Sequence, residues 1–279
     1  MITENQFNIP LMVSIECTVY NHAPYIRKCL DGFVMQKTNF RFEAIVHDDA
    51  STDGSADIIL EYAAKYPDII KPVIEKENQF SKSLIGFRKI ITSHLTGKYI
   101  AICEGDDYWT DPLKLQKQVD YLESHETVNI YSHNALRVYS DGKCEPFNKE
   151  VKSGIYDLRR CLRMGWFTPT ASFLYRNNFI FNYVWFENGS NGDMAILYSN
   201  LMKGDIYYSE EIMSVYNYCT PNSLSVSTPR GFLYQKKRGM LRTINQLSHY
   251  KYITSTLPLI ISTYVKQTIW WVINTIRKS

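Results

Sequence analysis

The sequence lacks the glycine-rich motifs with which many proteins hold a bound phosphate. No G-x-G-x-x-G follows the first apolar run, and no G-x-x-x-x-G-K-[ST] occurs among the 279 residues. In dinucleotide-binding and P-loop proteins, backbone amides of these loops cradle the phosphate. Their absence disfavours both classes, so a phosphate ligand here needs another partner, such as a metal ion.

A large charge of one sign and closely spaced cysteines are also missing. The formal net charge is only +3, and no basic run carries interleaved aromatic residues, so nucleic acid is not an indicated partner. The six cysteines are scattered and form no C-x-x-C, which favours reduced core thiols in a cytosolic protein. The first residues carry Glu4 and no Lys or Arg before a short apolar run, so we expect no signal peptide.

Strand-like and helix-like patterns alternate along the first 125 residues. Hydrophobic residues make up 45% of the chain and charged residues 21%, as in globular proteins. We predict strands at 11–19, 42–46, 69–74 and 99–102, with helices at 25–34, around 55–63, at 84–95 and at 113–122. This alternation predicts an α/β fold with a mainly parallel sheet and right-handed crossovers.

Three acidic residues, Glu104, Asp106 and Asp107, follow the predicted strand at 99–102. In an open α/β sheet, ligands bind outside the carboxyl ends of the strands. Carboxylates this close repel one another unless a cation lies among them, and hard oxygen ligands suit Mg²⁺ or Mn²⁺. The alternative is a solvated acidic turn ahead of a helix that Asp111 caps and Pro112 begins.

A second acidic loop, 48–53, follows the predicted strand at 42–46, and Tyr20 follows the first strand. Parallel strands bring these loops to the edge that carries Asp106 and Asp107. An aromatic platform beside two carboxylate clusters suits a nucleotide with a metal-bound diphosphate. The alternatives are a partly buried loop aromatic for Tyr20 and turn chemistry for the acidic loop, in which Asp53 can cap the next helix.

Beyond residue 125 the patterns are weaker. They predict a strand over 128–139, a short strand over 171–175, and two strands around 206–208 and 213–218. Asp193 opens a predicted helix that Gly204 ends, and an aspartate in that position is often a simple N-cap.

The tail from Leu257 to Ile276 contains a single charged residue, Lys266, and the pair Trp270-Trp271. Its length and apolarity approach those of a membrane span. Polar residues gather on one side of a helical projection, which better fits a helix lying in the bilayer interface; they are Ser262, Thr263, Lys266, Gln267 and Asn274. The alternative is a helix that packs on its own domain or on a dimer partner.

Taken together, these motifs resemble glycosyltransferase family 2, the inverting nucleotide-sugar transferases of GT-A fold. Val13-Ser14-Ile15 through Asn21 is similar to the family's first strand and nucleotide loop, and Asp48 through Ser55 to its second signature. Glu104-Gly105-Asp106-Asp107 is similar to its D-x-D-type metal motif. Arg88 falls where many members carry an arginine. The order and spacing of three signatures make the resemblance specific.

The resemblance implies a role for each matching residue. Thr18, Tyr20, Asn21, Asp49, Arg88 and Asp106 are expected to bind the nucleotide sugar. Within this set Tyr20 would stack on the base and Asp49 would accept from a ring N–H. Asp107, together with Asp106, is expected to bind Mn²⁺ or Mg²⁺, and Asp193 lies where the family carries its general base.

The resemblance also implies a layout and partners. We expect a GT-A domain over 1–225, with a nucleotide-binding half at 11–125 and an acceptor half at 126–225, followed by a helical region at 226–279. The expected donor is a nucleotide sugar, UDP-linked above all, and the expected acceptor a free or lipid-linked glycan in surface polysaccharide assembly. The expected location is the cytoplasm or the inner face of the plasma membrane. A homodimer is one of the expected partners.

The chain departs from the family pattern at one place that bears on chemistry. Where many members carry Tyr-Arg-x-His, this sequence has Tyr216-Asn217-Tyr218-Cys219. A phosphate-binding arginine and a histidine are therefore absent from that position. Two alternative functions stay open: a non-catalytic nucleotide-sugar-binding scaffold at a membrane, and a sugar nucleotidyltransferase, although the latter usually needs a glycine-rich basic signature near the N-terminus.

Overall fold

A computed structural model describes residues 10–178, 185, 192–218 and 230–276. These residues fall into two compact units. The first comprises the described residues up to 155 together with 167–178 and 206–218, and the second comprises 156–166 and the described residues of 179–205 and 219–279.

The first unit is built on a sheet of ten strands among the described residues, in the order β3-β2-β1-β4-β9-β6-β10-β5, with β7 beside β6 and β8 beside β10. The strands are β1 (Leu11–Val19), β2 (Arg41–Asp48), β3 (Ile70–Ile74), β4 (Tyr99–Ile102), β5 (Tyr108–Trp109), β6 (Val128–Val138), β7 (Cys144–Pro146), β8 (Gly154–Tyr156), β9 (Leu174–Arg176) and β10 (Asp205–Asn217). The helices of this unit are α1 (Ile26–Val34), α2 (Ser55–Lys65), α3 (Gln79–Lys82), α4 (Leu84–His94) and α5 (Lys114–Ser124).

The N-terminal half of the sheet is parallel, as the sequence predicts. β1 pairs in parallel with β2 on one side and with β4 on the other, and β2 pairs in parallel with β3. Residues 13–17 of β1 and all of β4 are buried, as is usual for the central strands of a parallel sheet. The carboxyl ends of β1, β2 and β4 consequently lie at one edge.

The remaining strands pair mostly antiparallel. β9 pairs antiparallel with both β4 and β6, β6 pairs antiparallel with β7, and β5 pairs antiparallel with β10. This half therefore extends the parallel sheet beyond β4 and brings the end of β10 next to the residues that follow β4.

Three buried thiols pack beneath the carboxyl ends of the parallel strands. The Sγ atoms of Cys17 and Cys29 are 3.9 Å apart, and those of Cys29 and Cys103 are 4.0 Å apart. Burial raises the pKa of the Cys29 thiol well above its ordinary value. These cysteines are free and lie in the core, as predicted, whereas Cys144 is free and exposed.

Three local predictions are wrong. Asp111 does not cap a helix that begins at Pro112: α5 begins at Lys114, and Asp111 instead accepts from the Leu113 amide at 2.8 Å. The predicted strand at 171–175 is a 3₁₀ turn, Thr170–Ser172, followed by β9. The two strands predicted around 206–208 and 213–218 form the single strand β10.

A buried lysine anchors the chain just after the acidic loop. Lys114 is fully buried, its Nζ lies 3.9 Å from the centroid of the Trp109 ring, and it donates to Gln118 Oε1 at 2.7 Å. Burial lowers the pKa of Lys114 to about 7. Trp109 Nε1 in turn donates to the Ala171 carbonyl at 2.9 Å. β5 and the start of α5 are therefore held to the 3₁₀ turn behind the loop.

The second unit is helical. It contains α6 (Leu158–Met164), α7 (Gly192–Leu201), α8 (Arg230–Leu247) and α9 (Ile253–Ile276). α8 and α9 form a helical hairpin joined by the short segment 248–252. α8 also contacts α7, and α9 contacts α6. Within the described part of the chain, no helix is long and apolar enough to cross a membrane.

Candidate functional site

Three loops meet where β1, β2 and β4 end. In the register of the sheet, Val19 lies beside Asp48, and Glu16 lies beside Ile102. Two backbone hydrogen bonds continue these pairings beyond the strands. The Asp49 amide donates to the Val19 carbonyl at 2.9 Å, and the Gly105 amide donates to the Thr18 carbonyl at 3.0 Å. The loops that the sequence predicts to share one sheet edge are therefore joined there.

Asn21 connects the first loop to the second. Its backbone amide donates to Ser51 Oγ at 2.9 Å, and its Oδ1 accepts from the Thr52 amide at 2.8 Å. Its φ of 56° is left-handed, a conformation that asparagine tolerates better than most residues. Asn21 thus fixes the shape of the loop that presents Tyr20, and direct contact with a nucleotide sugar stays a prediction.

Asp53 makes a second connection between these loops. Its Oδ2 accepts from the Ala23 amide at 2.8 Å, and its Oδ1 accepts from the Ser55 amide and hydroxyl at 3.0 Å and 2.5 Å. Partial burial opposes ionisation, but these hydrogen bonds outweigh it and hold the pKa of Asp53 below its ordinary value. The N-cap of α2 is Gly54, so the predicted cap at Asp53 is wrong. Asp53 instead binds the first residue of α2, Ser55.

Asp49 lies at the N-terminus of α3. Its side chain is buried, and its two oxygens accept from the amides of Gln79 and Phe80 at 2.7 Å and 3.0 Å. Backbone amides at a helix start favour an anionic acceptor. They also hold the carboxylate in one orientation, and its contact with a nucleotide base stays a prediction.

Tyr20 and Thr18 differ in exposure. The side chain of Tyr20 is 43% exposed, the arrangement expected of a stacking platform, whereas Thr18 is half-buried. The carbonyl of Thr18 receives the Gly105 amide described above. Both residues therefore lie at the junction of the first loop with the acidic loop.

The acidic loop is held against the end of β10 by Asn217. The Asn217 amide donates to Asp107 Oδ1 at 2.9 Å, and its Nδ2 donates to the Asp106 carbonyl at 2.5 Å. Asp107 is buried and Asp106 is half-buried. Asn217 occupies the position at which the family pattern has arginine. Here the residue donates two hydrogen bonds to the acidic loop and carries no positive charge.

Gly105 lets the acidic loop pass close to the first loop. A Cβ atom at this position would lie 2.9 Å from His22 Nδ1 and 2.9 Å from Val19 Cγ2, closer than real Cβ contacts allow. A side chain here would push the acidic loop away from Thr18. The glycine between Glu104 and Asp106 is therefore required by packing.

Arg88 lies away from solvent beneath the first loop. It is buried and forms a two-pronged ion pair with the buried Glu16 of β1: Nη1 donates to Oε1, and Nη2 donates to Oε2 at 3.1 Å. A planar guanidinium suits such a bidentate pair. Arg88 of α4 is thus tied to Glu16 of β1, and its contact with the nucleotide sugar stays a prediction.

The carboxylates of the acidic loop fit a metal ion that shares its ligands with a substrate. Among the residues that the structure describes, no group of three or more His, Cys, Asp or Glu side chains could hold an ion by itself. Mg²⁺ commonly binds through one or two carboxylates and takes phosphate oxygens and water for the rest. Asp106 and Asp107 are a donor set of that kind.

Sequence reasoning misses a group of aromatic side chains near the end of β10. Four rings, here named the aromatic surface, contact one another in pairs with centroids 5.3–6.1 Å apart; they belong to Tyr139, Phe147, Tyr216 and Tyr218. The Tyr218 amide donates to the Val138 carbonyl at 2.8 Å, so β6 brings this surface to the end of β10. The spacing of Tyr216 and Tyr218 on one strand face is the signal that could have indicated it.

A charged pair lies within the aromatic surface. The Arg137 guanidinium carbon is 4.6 Å from the centroid of the Phe147 ring, and Arg137 Nη1 is 3.8 Å from Glu145 Oε1. These side chains, with Asn148, line a shallow cavity of about 290 Å³. Aromatic faces beside charged groups of both signs can contact the C–H groups and the hydroxyls of a sugar.

Asp193 belongs to the second unit. It is half-buried in the first turn of α7, which begins at Gly192, so the predicted helix start is confirmed within a residue. A carboxylate in that turn is favoured by the helix dipole. Its assignment as a base is a prediction.

Comparisons with known proteins place these observations in a family. The profile described as "Glycosyl transferase family 2" matches residues 14–188, which is more than half of the chain. An uncharacterised protein of Mycobacterium tuberculosis is 47% identical over 133 residues, covering 47% of this chain and 37% of that protein. The Escherichia coli protein WfaP, named a UDP-Glc:α-D-GlcNAc-diphosphoundecaprenol β-1,3-glucosyltransferase, is 31% identical over 122 residues, covering 44% of this chain and 45% of that protein. The chain thus spans less than half the length of these relatives.

Solved structures share the fold. Staphylococcus aureus TarS in complex with UDP-GlcNAc superposes with a TM-score of 0.62 at 16% identity, covering 84% of this chain and 67% of that chain. The mannosyltransferase PcManGT of Pyrobaculum calidifontis, in complex with GDP-Man and Mn²⁺, gives a TM-score of 0.54 at 16% identity, covering 94% of this chain and 76% of that chain. These similarities confirm the predicted GT-A fold. Because the family profile matches more than half of its length, the chain belongs to glycosyl transferase family 2.

Proposed function

We propose that this protein transfers one sugar from a nucleotide-diphosphate sugar to an acceptor hydroxyl, with inversion at the anomeric carbon. The observation that carries the proposal is the junction of three loops at one sheet edge, where the exposed ring of Tyr20 and the carboxylates of Asp49, Asp106 and Asp107 come from neighbouring strand ends. Family membership supports sugar transfer as the reaction. The donors bound by TarS and PcManGT support a nucleotide sugar.

Each part of the donor has a candidate partner. Tyr20 stacks on the base, Asp49 accepts from a ring N–H, and Thr18 and Asn21 shape the loop between them. Asp106 binds the ribose or the metal ion. The UDP of TarS and of WfaP's named donor favours a UDP-sugar. Arg88 contributes through its ion pair with Glu16, which fixes β1 beneath the loop.

Asp106 and Asp107 hold Mg²⁺ or Mn²⁺ in this proposal. When bound there, such an ion would supply positive charge to offset the negative charge that the diphosphate gains as the glycosidic bond breaks. The Mn²⁺ of PcManGT supports such an ion. The protein's own contribution is to hold Asp107 in place through the amide of Asn217.

Asp193 takes the proton of the acceptor hydroxyl. A general base raises the nucleophilicity of the attacking oxygen as it forms the new bond, and attack from the face opposite the leaving group produces inversion. Asp193 lies in the first turn of α7, and its role as the base rests on the resemblance of the sequence to the family.

The aromatic surface is the proposed contact for the acceptor glycan. We expect Tyr218→Ala to raise the KM for acceptor several-fold, because an aromatic contact contributes on the order of 1 kcal/mol. Donor hydrolysis without acceptor should be unchanged. The measurement is initial rates over a range of acceptor concentrations, with Tyr250→Ala, an exposed tyrosine of the helical unit, as the control. An unchanged acceptor KM, or an equal loss of donor hydrolysis, would remove the surface from the acceptor site.

A screen of nucleotide sugars tests the function as a whole. The protein is incubated with a panel of UDP-, GDP- and dTDP-sugars and Mn²⁺ or Mg²⁺, and release of nucleoside diphosphate and free sugar is followed. We expect slow hydrolysis of at least one donor, because water can replace the acceptor. Binding without turnover for every donor would favour the scaffold alternative. Formation of a nucleotide sugar from nucleoside triphosphate and sugar phosphate would favour a nucleotidyltransferase.

A further inference from the structure

The last helix of the chain buries its polar side. Thr256 and Thr263 of α9 are almost completely buried. Thr256 Oγ1 donates to Asn245 Oδ1 of α8 at 2.7 Å, and Arg238 Nη2 of α8 donates to Gln267 Oε1 at 2.5 Å. The residues that the sequence projection places on the polar side of the tail are therefore partly used to hold α9 on α8.

The opposite side of α9 is apolar and exposed. Four aliphatic residues, here named the outer face, are 48–56% exposed; they are Leu257, Ile261, Val265 and Ile269. Their spacing of four residues places them along one side of the helix. A helix of a globular protein normally turns its apolar stripe inward. α9 instead turns Thr256 and Thr263 inward and leaves the outer face exposed. Exposure of a continuous apolar stripe marks an interaction surface.

The charge of this part of the chain is of one sign. Residues 212–279 contain nine Lys and Arg and no Asp or Glu. The other 22 Lys and Arg, and all 28 Asp and Glu, lie in residues 1–211, which carry a net charge of −6. The apolar outer face is therefore set in a segment with a formal charge of +9, in which Arg242, Lys251 and Lys266 are exposed and Arg238 is buried.

We propose that the outer face of α9 docks on an anionic lipid surface and lies in the plane of the membrane interface. An apolar stripe within a basic, acid-free segment matches a bilayer that offers acyl chains beneath negatively charged headgroups. A spanning orientation is disfavoured, because no described helix is apolar enough and because the polar side of α9 is bonded to α8. The inference goes beyond the transferase function and does not depend on it.

The positive charge of this segment favours a lipid surface over a second copy of the chain as the partner of the outer face. Two copies that paired through the outer face would bring two segments of +9 together, and like charges across an interface oppose association. A lipid surface with negative headgroups removes that repulsion.

The test is binding of the full chain to lipid vesicles. We expect cosedimentation with vesicles of phosphatidylcholine and phosphatidylglycerol, much weaker binding to pure phosphatidylcholine, and loss of binding as salt is raised. The variant Ile261→Glu/Val265→Glu places two negative charges on the outer face and should weaken binding at least tenfold. Leu60→Glu is the matched control, since Leu60 is a leucine on α2 with 48% exposure, and it should bind like the wild type.

Two further readouts keep the test decisive. Ile261→Ser/Val265→Ser removes the apolar contact without adding charge and should also weaken binding, and circular dichroism and donor hydrolysis confirm that each variant is folded. Equal vesicle binding by wild type and both double variants overturns the proposal. A second result would also overturn the proposal: the wild type does not bind anionic vesicles but forms a dimer, and Ile261→Glu/Val265→Glu dissociates that dimer. A second copy of the chain would then cover the outer face.

Discussion

Asp107→Ala should lose sugar transfer by roughly three orders of magnitude or more, together with the dependence on divalent ions. The reason is that the departing diphosphate carries charge that Asp107 helps a metal ion to neutralise. Calorimetry should also show that the variant no longer binds Mn²⁺ in the presence of UDP, a readout independent of turnover. Activity is measured as release of nucleoside diphosphate over a range of metal concentrations and in chelator.

Two further variants separate charge from folding at this position. Asp107→Asn keeps an oxygen that can accept from the Asn217 amide, which lies 2.9 Å from Asp107 Oδ1, but it removes the negative charge. It should therefore be folded and nearly as inactive as the alanine variant. Asp120→Asn alters an exposed carboxylate on α5 and should behave like the wild type. Near-normal turnover of Asp107→Ala in chelator would show that the metal assignment is wrong.

Asp193→Asn should reduce transfer to acceptor roughly a hundred- to ten-thousand-fold, the usual contribution of a positioned general base. The amide keeps the size of the side chain and an oxygen that can accept from the amides at the start of α7, so folding should be nearly unchanged. It cannot abstract a proton. Donor affinity in the presence of metal should stay within a few-fold, because the proposed nucleotide contacts are Tyr20, Asp49 and Asp106.

A second aspartate of the helical unit provides the control. Asp157 is the N-cap of α6, and its side chain accepts from the Arg160 amide at 2.8 Å. Asp157→Asn therefore reports what the loss of charge at a helix start does by itself, and it should leave transfer almost intact. Equal loss of donor binding and transfer in Asp193→Asn would make Asp193 a structural or donor-site residue. No loss of either would leave it a residue of the first turn of α7 with no part in the chemistry.

The strand framework was predictable from sequence because its signal is local. β1 and β4 have the predicted bounds, since each is rich in apolar residues and is followed by polar loop residues. The parallel arrangement follows from helices between strands, and it places the two acidic loops and Tyr20 at one edge. Asp49, Asp106 and Asp107 could be selected as candidates for this reason.

Contacts between residues that are distant in the sequence could not be predicted. Asn217 is 110 positions from Asp107, and no local pattern indicates that its amide holds that carboxylate. Arg88 could be matched to the family by position, whereas its partner Glu16 lies 72 residues away on another element. β10 runs without a break through Glu210 and Glu211, where the interrupted apolar pattern alone favours two strands. Glu210 accepts from Lys152, a residue distant in sequence, at 2.9 Å.

The tail shows a different limit. The sequence indicates that α9 has a polar side and an apolar side, but it cannot say which side packs inward. In the structure the hydrogen bonds of Thr256 and Gln267 to α8 decide this, because buried polar groups require partners. The apolar side is exposed as a result. The structure thus identifies which apolar residues of the tail are exposed, which the sequence pattern alone does not.

The first anomer of the sugar released from a hydrolysed donor tests the central claim most directly. The donor is one that the nucleotide-sugar screen selects, and proton NMR follows the free sugar before its anomers interconvert. An α-linked donor should yield the β-anomer first, and only when the protein and a divalent ion are both present. Release of the α-anomer first would contradict inversion, and a panel in which no donor is hydrolysed would contradict sugar transfer itself.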